Sequence, residues 1–217
     1  MGTKSNEPSI TESFLEHRQD YAAPWVNRWA IPNPFIDELF PILRGFGVEL
    51  TNISFNKEAA NVGENYLNFA IPKLSAAIRL GLDHLTFLVA NPDWSIAPQL
   101  VEIFDSASMT ISKFVGAIPK SQKLTLAFHV LPGPISFGER TASLVQVDRL
   151  GPANFFGISL YRDDRSIVID RSQRHDGAAY IRMERTFGGE VSFADIAPQL
   201  YEDEKSALAL LDITGID

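Results

Sequence analysis

A chain of 217 residues has room for one domain of ordinary size or two small ones. Hydrophobic residues at 45% against 21% charged exclude a disordered chain. A formal charge of -8 argues against general nucleic-acid binding, and the absence of Cys excludes disulfides, thiolate nucleophiles and cysteine metal sites. Apolar runs are only a few residues long, so no membrane insertion is expected. The first residues, MGTKSNEPSITESF, lack the apolar core of a secretory signal, and the cytoplasm is the expected location.

The first eight residues are polar. From Ser9 a helix is expected, because Ser9 followed by Glu12 forms a capping-box pattern ahead of Phe14 and Leu15. Pro24 breaks it, and Trp25, Val26 and Trp29 follow as an apolar cluster that needs a partner. Pro34 opens a second helix in which Phe35, Ile36, Leu39, Phe40 and Leu43 recur at helical spacing, with Pro41 inside it. Residues 21–40 therefore form an aromatic docking segment whose prolines force piecewise burial. It meets either its own chain or a second copy, with Trp25, Trp29 and Phe35 as the interface residues.

The period then changes. Strands are expected at 48–55, 65–71, 75–82 and 85–90, the last two joined through Asp83 and His84. Ser95 is expected to cap a long apolar helix running to about residue 118 and carrying Leu100, Phe104, Ile111 and Phe114. Residues 123–131 alternate strictly, with Leu124, Leu126, Phe128 and Val130 facing one way and Thr125, Ala127 and His129 the other. A Pro-Gly-Pro loop follows, then strands at 143–150, 155–161, 166–171 and 178–187 and a helix at 193–211 whose Glu202, Asp203 and Glu204 face solvent.

Ile96-Ala97-Pro98-Gln99-Leu100 recurs letter for letter as residues 196–200. Each copy follows a strand, a turn and a capping residue, Ser95 or Asp195. The expected fold is α+β, built of antiparallel strand meanders with one helix per half, internally duplicated and preceded by a short helical N-terminal segment. The expected organisation is a polar, helical docking segment at 1–45 and meander-helix halves at 46–131 and 132–217. Each half is small enough to be marginal alone, so one continuous core is expected.

Chemistry is sparsely signalled. Gly116 to Ser121 ends in Lys-Ser but has one Gly and a Pro where a phosphate loop needs free N–H groups, and neither G-x-G-x-x-G nor G-x-S-x-G occurs. The four histidines, His17, His84, His129 and His175, show no local metal-ligand spacing, which leaves only a site assembled from distant strands. The richest polar cluster is 170–176. There Arg171 and Arg174 offer forked donors for an anion, and His175 with Asp176 offers a base; the competing reading is a solvated loop whose charges pair with each other. No cofactor is implied and no catalytic residue is assigned. Two function classes remain: a non-catalytic binding or assembly protein acting on a protein partner or a second copy, through its sheet surface and aromatic segment; and a protein holding a small hydrophobic ligand, as binder or enzyme, between a curved sheet and the 95–118 helix.

Overall fold

The computed structural model describes residues 9–29, 32–56, 64–131 and 157–210. The strand expected at 143–150 and the Pro-Gly-Pro loop lie outside these residues, as does the side chain of Trp94. In chain order the described elements are β1 (Ser9–Asp20), α1 (Val26–Trp29), α2 (Asn33–Arg44), β2 (Ile53–Asn56), β3 (Tyr66–Ile71), β4 (Ala76–Leu80), β5 (His84–Ala90), α3 (Ala97–Val115), β6 (Ser121–Leu131), β7 (Ile158–Tyr161), β8 (Arg165–Arg171), β9 (Ala179–Gly188) and α4 (Phe193–Leu210). Antiparallel strands with helices make this an α+β protein. Among the described residues, no helix is long and apolar enough to cross a membrane.

Two compact units divide the chain: Phe14–Leu124 with Thr186–Gln199, and Met1–Ser13 with Thr125–Arg185 and Leu200–Asp217. β1, β6, β9 and α4 each contribute residues to both units. Strands pair in the order β2-β3-β4-β5-β1 in the first unit and β1-β6-β9-β8-β7 in the second.

The helix expected from Ser9 is instead the strand β1. Its burial alternates, with Leu15, His17 and Gln19 inward, so two of the three core-facing residues are polar. An apolar count therefore misses the period of two, and the Ser9–Glu12 pattern mimics a cap. Pairing with β5 overrides that local signal.

In the first unit the register builds rows of side chains across the sheet. Phe69 faces Ile78, Ile78 faces Phe87 and Phe87 faces His17. The parallel rows end on β1 at Leu15, opposite Val89, and at Gln19, opposite Leu85. Helix α3 covers this face with Leu100, Ile103, Phe104, Ala107 and Ile111, all buried at three- and four-residue spacing. The Phe104 ring lies 4.6 Å from the imidazole of His17, 4.9 Å from Phe87 and 4.9 Å from Phe193. Gln19 is satisfied inside this core: Ser108 Oγ donates to its Oε1 at 2.8 Å, and its Nε2 donates to Gln122 Oε1 at 3.0 Å. The Gln122 amide reaches the carbonyls of Gly188, Gly189 and Val191, which ties the turn after β9 to β6. Gly189 is required there, because a Cβ would collide with the Pro119 carbonyl.

The aromatic segment docks on its own unit. Trp25, Trp29 and Phe35 are all buried, and Phe35 is the hub, with ring centroids 5.7 Å from Trp25, 6.0 Å from Trp29 and 5.1 Å from Phe114. Helix α2 buries Phe35, Leu39 and Leu43 one turn apart, with Pro41 on its exposed side.

Both repeated pentapeptides lie early in a helix, at different depths. Ile96 ends a 3-10 turn from Trp94 to Ile96 that leads into α3, so Ser95 is inside that turn and is not the cap. Ile196 is the fourth residue of α4, whose start is satisfied by Ser192 and by the Asp105 carboxylate, which accepts from the Phe193 and Ala194 N–H groups. In the second unit Asp203 pairs with Arg185 rather than facing solvent as the sequence suggests.

Replacing Phe104 with Ala should cost on the order of 3–5 kcal/mol in urea denaturation, because three aromatic rings lose their common contact. His17 adds a pH dependence. Burial lowers its pKa from 6.5 to about 3, so the folded state keeps it neutral where the unfolded chain is protonated. Unfolding then takes up a proton between those values, and stability present above pH 6.5 falls as the pH drops towards 3, by up to about 1.4 kcal/mol per pH unit. A His17→Leu variant, melted alongside the parent between pH 7 and pH 4.5, should show a shallower acid slope.

Candidate functional site

The polar loop singled out in the sequence joins β8 to β9 in the second unit. The two strands are in register from Arg165↔Arg185 to Arg171↔Ala179, which places Ile169 against Ile181 as their buried pair. Beyond Arg171 the chain leaves the ladder, and the Ser172 N–H donates to the Ala178 carbonyl at 2.9 Å to close the loop. Gly177, at φ +74°, supplies the left-handed residue that the closure needs. The charged tip between β7 and β8 sits at the other end of β8, so its Asp163 and Asp164 do not join this loop.

Ser172 is the organising residue. It is 5% exposed, and its Oγ accepts the backbone N–H groups of Arg174 at 3.1 Å and His175 at 2.9 Å. The same oxygen shares a hydrogen bond with Nδ1 of His129 at 2.9 Å. A Ser–His contact invites comparison with a nucleophile and its base. Here the hydroxyl is buried and tied down by two backbone groups, so its role is to hold the loop and the ring.

His129 comes from β6 and is buried, not turned to solvent as strict alternation suggests. Its ring lies 5.0 Å from that of His175 and 5.1 Å from Tyr180. Burial lowers its pKa, and the positive fields of His175 and Arg174 act in the same direction against the pull of Glu12. Glu12, from the outer end of β1, meets the side chains of both Arg174 and His175. Arg174 Nη1 lies 2.7 Å from its Oε1, and His175 Nε2 lies 3.1 Å from its Oε2. Glu12 is held below the usual carboxylate range, chiefly by the His175 hydrogen bond and further by Arg174, with desolvation opposing. One ligand atom from each of Glu12, His129 and His175 lies within 4.8 Å of the other two, so these three residues are the ones able to hold a metal ion among those described.

The four residues proposed from sequence lie on this one loop, and two of them, Arg171 and Asp176, pair with each other. Arg174 and His175 both turn to Glu12, while Arg171 Nη2 pairs with Asp176 at 3.2 Å. His175 and Asp176 do not form a base pair of their own. An open cavity of about 570 Å³ is lined by Asp170, Arg171, Ser172, Gln173, Arg174 and Asp176. Glu12 and His129 are the members that the sequence does not point to: Glu12 is more than a hundred residues away in a pattern that mimics a helix cap, and strict alternation would turn His129 to the outer face of β6. No family model matches the chain, and no curated protein matches it in sequence.

Ser172→Ala removes the acceptor for two backbone N–H groups and the partner of a buried imidazole. It should cost about 1–3 kcal/mol in chemical denaturation. It should also release the His129 ring, read as narrowed and shifted imidazole resonances.

Proposed function

We propose that the protein is a non-catalytic binding protein whose β8–β9 loop takes a small anionic ligand, a carboxylate or phosphate group, in the cavity lined by Arg171 and Arg174. The observation that carries this reading is that cavity of about 570 Å³, formed by the same loop residues that offer forked donors in the sequence. The Arg171–Asp176 pair supports it. The Asp176 side chain is 96% exposed and the Arg171 side chain 56%, so the pair is held weakly and an incoming anion can take the place of Asp176. Arg174 stays anchored on Glu12 and presents its remaining N–H groups from a fixed position.

A small hydrophobic ligand between sheet and helix is the weaker alternative, because Phe104, Phe87 and Phe193 fill the space under α3. The aromatic N-terminal segment is likewise engaged with its own unit, which moves the binding role from that segment to the loop.

Titration with succinate and with inorganic phosphate, followed by calorimetry and by the arginine side-chain NMR signals, tests the reading. Saturable binding by either probe is expected, weakened roughly tenfold or more in Arg171→Ala, as the loss of a charge-assisted hydrogen bond implies. Arg171→Ala leaves the Arg174–Glu12 pair in place. If neither probe saturates, or if Arg171→Ala binds as the parent does, the reading fails.

A further inference from the structure

The cavity reading uses Glu12 only through Arg174 and leaves the two imidazoles without a task, and the convergence of all three points further. We propose that Glu12, His129 and His175 form a binding site for a divalent transition-metal ion, with zinc as the closest match to the donor set. Two imidazoles and a carboxylate suit zinc and neighbouring ions, whereas calcium and magnesium prefer oxygen alone. Three protein ligands leave one position of a tetrahedron open, the pattern of a site that also takes water or a small ligand.

The three donors come from separate parts of the second unit: Glu12 from β1, His129 from β6 and His175 from the β8–β9 loop. Their atoms lie within 4.8 Å of one another, and His175 Nε2 is already 3.1 Å from Glu12 Oε2. Around a zinc ion with bonds of about 2.1 Å, ligand atoms lie about 3.4 Å apart, so the set closes by little more than an ångström. The half-exposed Glu12 and His175 side chains supply that movement, while buried His129 stays still.

Outer contacts are in place for the side chains of His129 and Glu12, and for the backbone of His175. Ser172 Oγ lies 2.9 Å from Nδ1 of His129 and fixes the ring, which leaves Nε2 as the nitrogen that Ser172 does not engage. Arg174 holds Oε1 of Glu12 and leaves Oε2, the oxygen now facing His175, for the ion. The His175 backbone N–H is fixed on Ser172 as well, so one hydroxyl positions both imidazoles. A solvated surface pair would need none of this second layer.

Calorimetric titration of the metal-free, tag-free full chain with Zn²⁺ alone is expected to give one ion per chain. Co²⁺ should give the visible absorption of a four- or five-coordinate ion. His175→Ala and Glu12→Gln should each weaken zinc binding at least tenfold, with Ser172→Ala weakening it about tenfold through the His129 ring. His129→Ala is expected to do the same; because His129 is buried, the two half-exposed positions decide the question if that variant does not fold. Absence of a stoichiometric zinc site, or zinc binding unchanged in the His175→Ala/Glu12→Gln double variant, would overturn the proposal. The anion titrations use different probes and the Arg171→Ala variant, so either proposal can fail without the other.

Discussion

An imidazole occupies a place in the first unit where an apolar side chain would ordinarily sit. His17 closes the row that runs through Phe69, Ile78 and Phe87, and it packs against the rings of both Phe104 and Phe193. Holding that ring neutral is a condition on everything packed against it: a charged imidazole there would have to be taken out of water at large cost. The same face contains Gln19 and Gln122, whose amides are satisfied by each other, by Ser108 and by the turn carbonyls after β9. The polar groups in this core act as connectors, joining β1 to α3 and β6 to the turn that leads into α4.

Polar burial in the second unit has another character. Ser172 and His129 are buried and bonded to each other, but the groups around them, Glu12, Arg174 and His175, remain partly in water. A fully solvated loop would not need a buried hydroxyl that takes two of its N–H groups, and a purely structural core would not leave a carboxylate and an imidazole at its rim. On the binding function proposed above, this preformed polar frame is where an exchangeable ligand would be met. Ser172 and Arg174 line the anion cavity and also contact the proposed metal ligands His129 and Glu12, so both proposals rest on the rigidity of the same loop closure.

β1 shows how one strand contributes in two ways. Its residues from Phe14 onward supply Leu15, His17 and Gln19 to the core of the first unit, and its outer end supplies Glu12 to the second. A substitution that disturbed its pairing register by one residue would turn all of these side chains to the opposite face. That sensitivity explains why so unpromising a segment, poor in apolar residues, is nonetheless held along twelve residues of strand.

Much of the architecture was legible in the sequence. Where apolar residues recur at a clear period, as in β3, β4, α2 and α3, local pattern and tertiary burial agree, and the α+β class follows. The clustering of charged and forked side chains at 170–176 was also legible in the sequence. What only the tertiary structure decided is wherever a polar residue fills a core position or a partner comes from far along the chain. β1 read as a helix because His17 and Gln19 hide its alternation, and a satisfied buried amide leaves no apolar signature. The salt bridges of Arg174 and His175 read as an open question because Glu12 is more than a hundred and sixty residues away. Periodicity reports which face of an element meets the core; it carries no information on which distant side chain will stand opposite a charge, and that pairing is set by strand order.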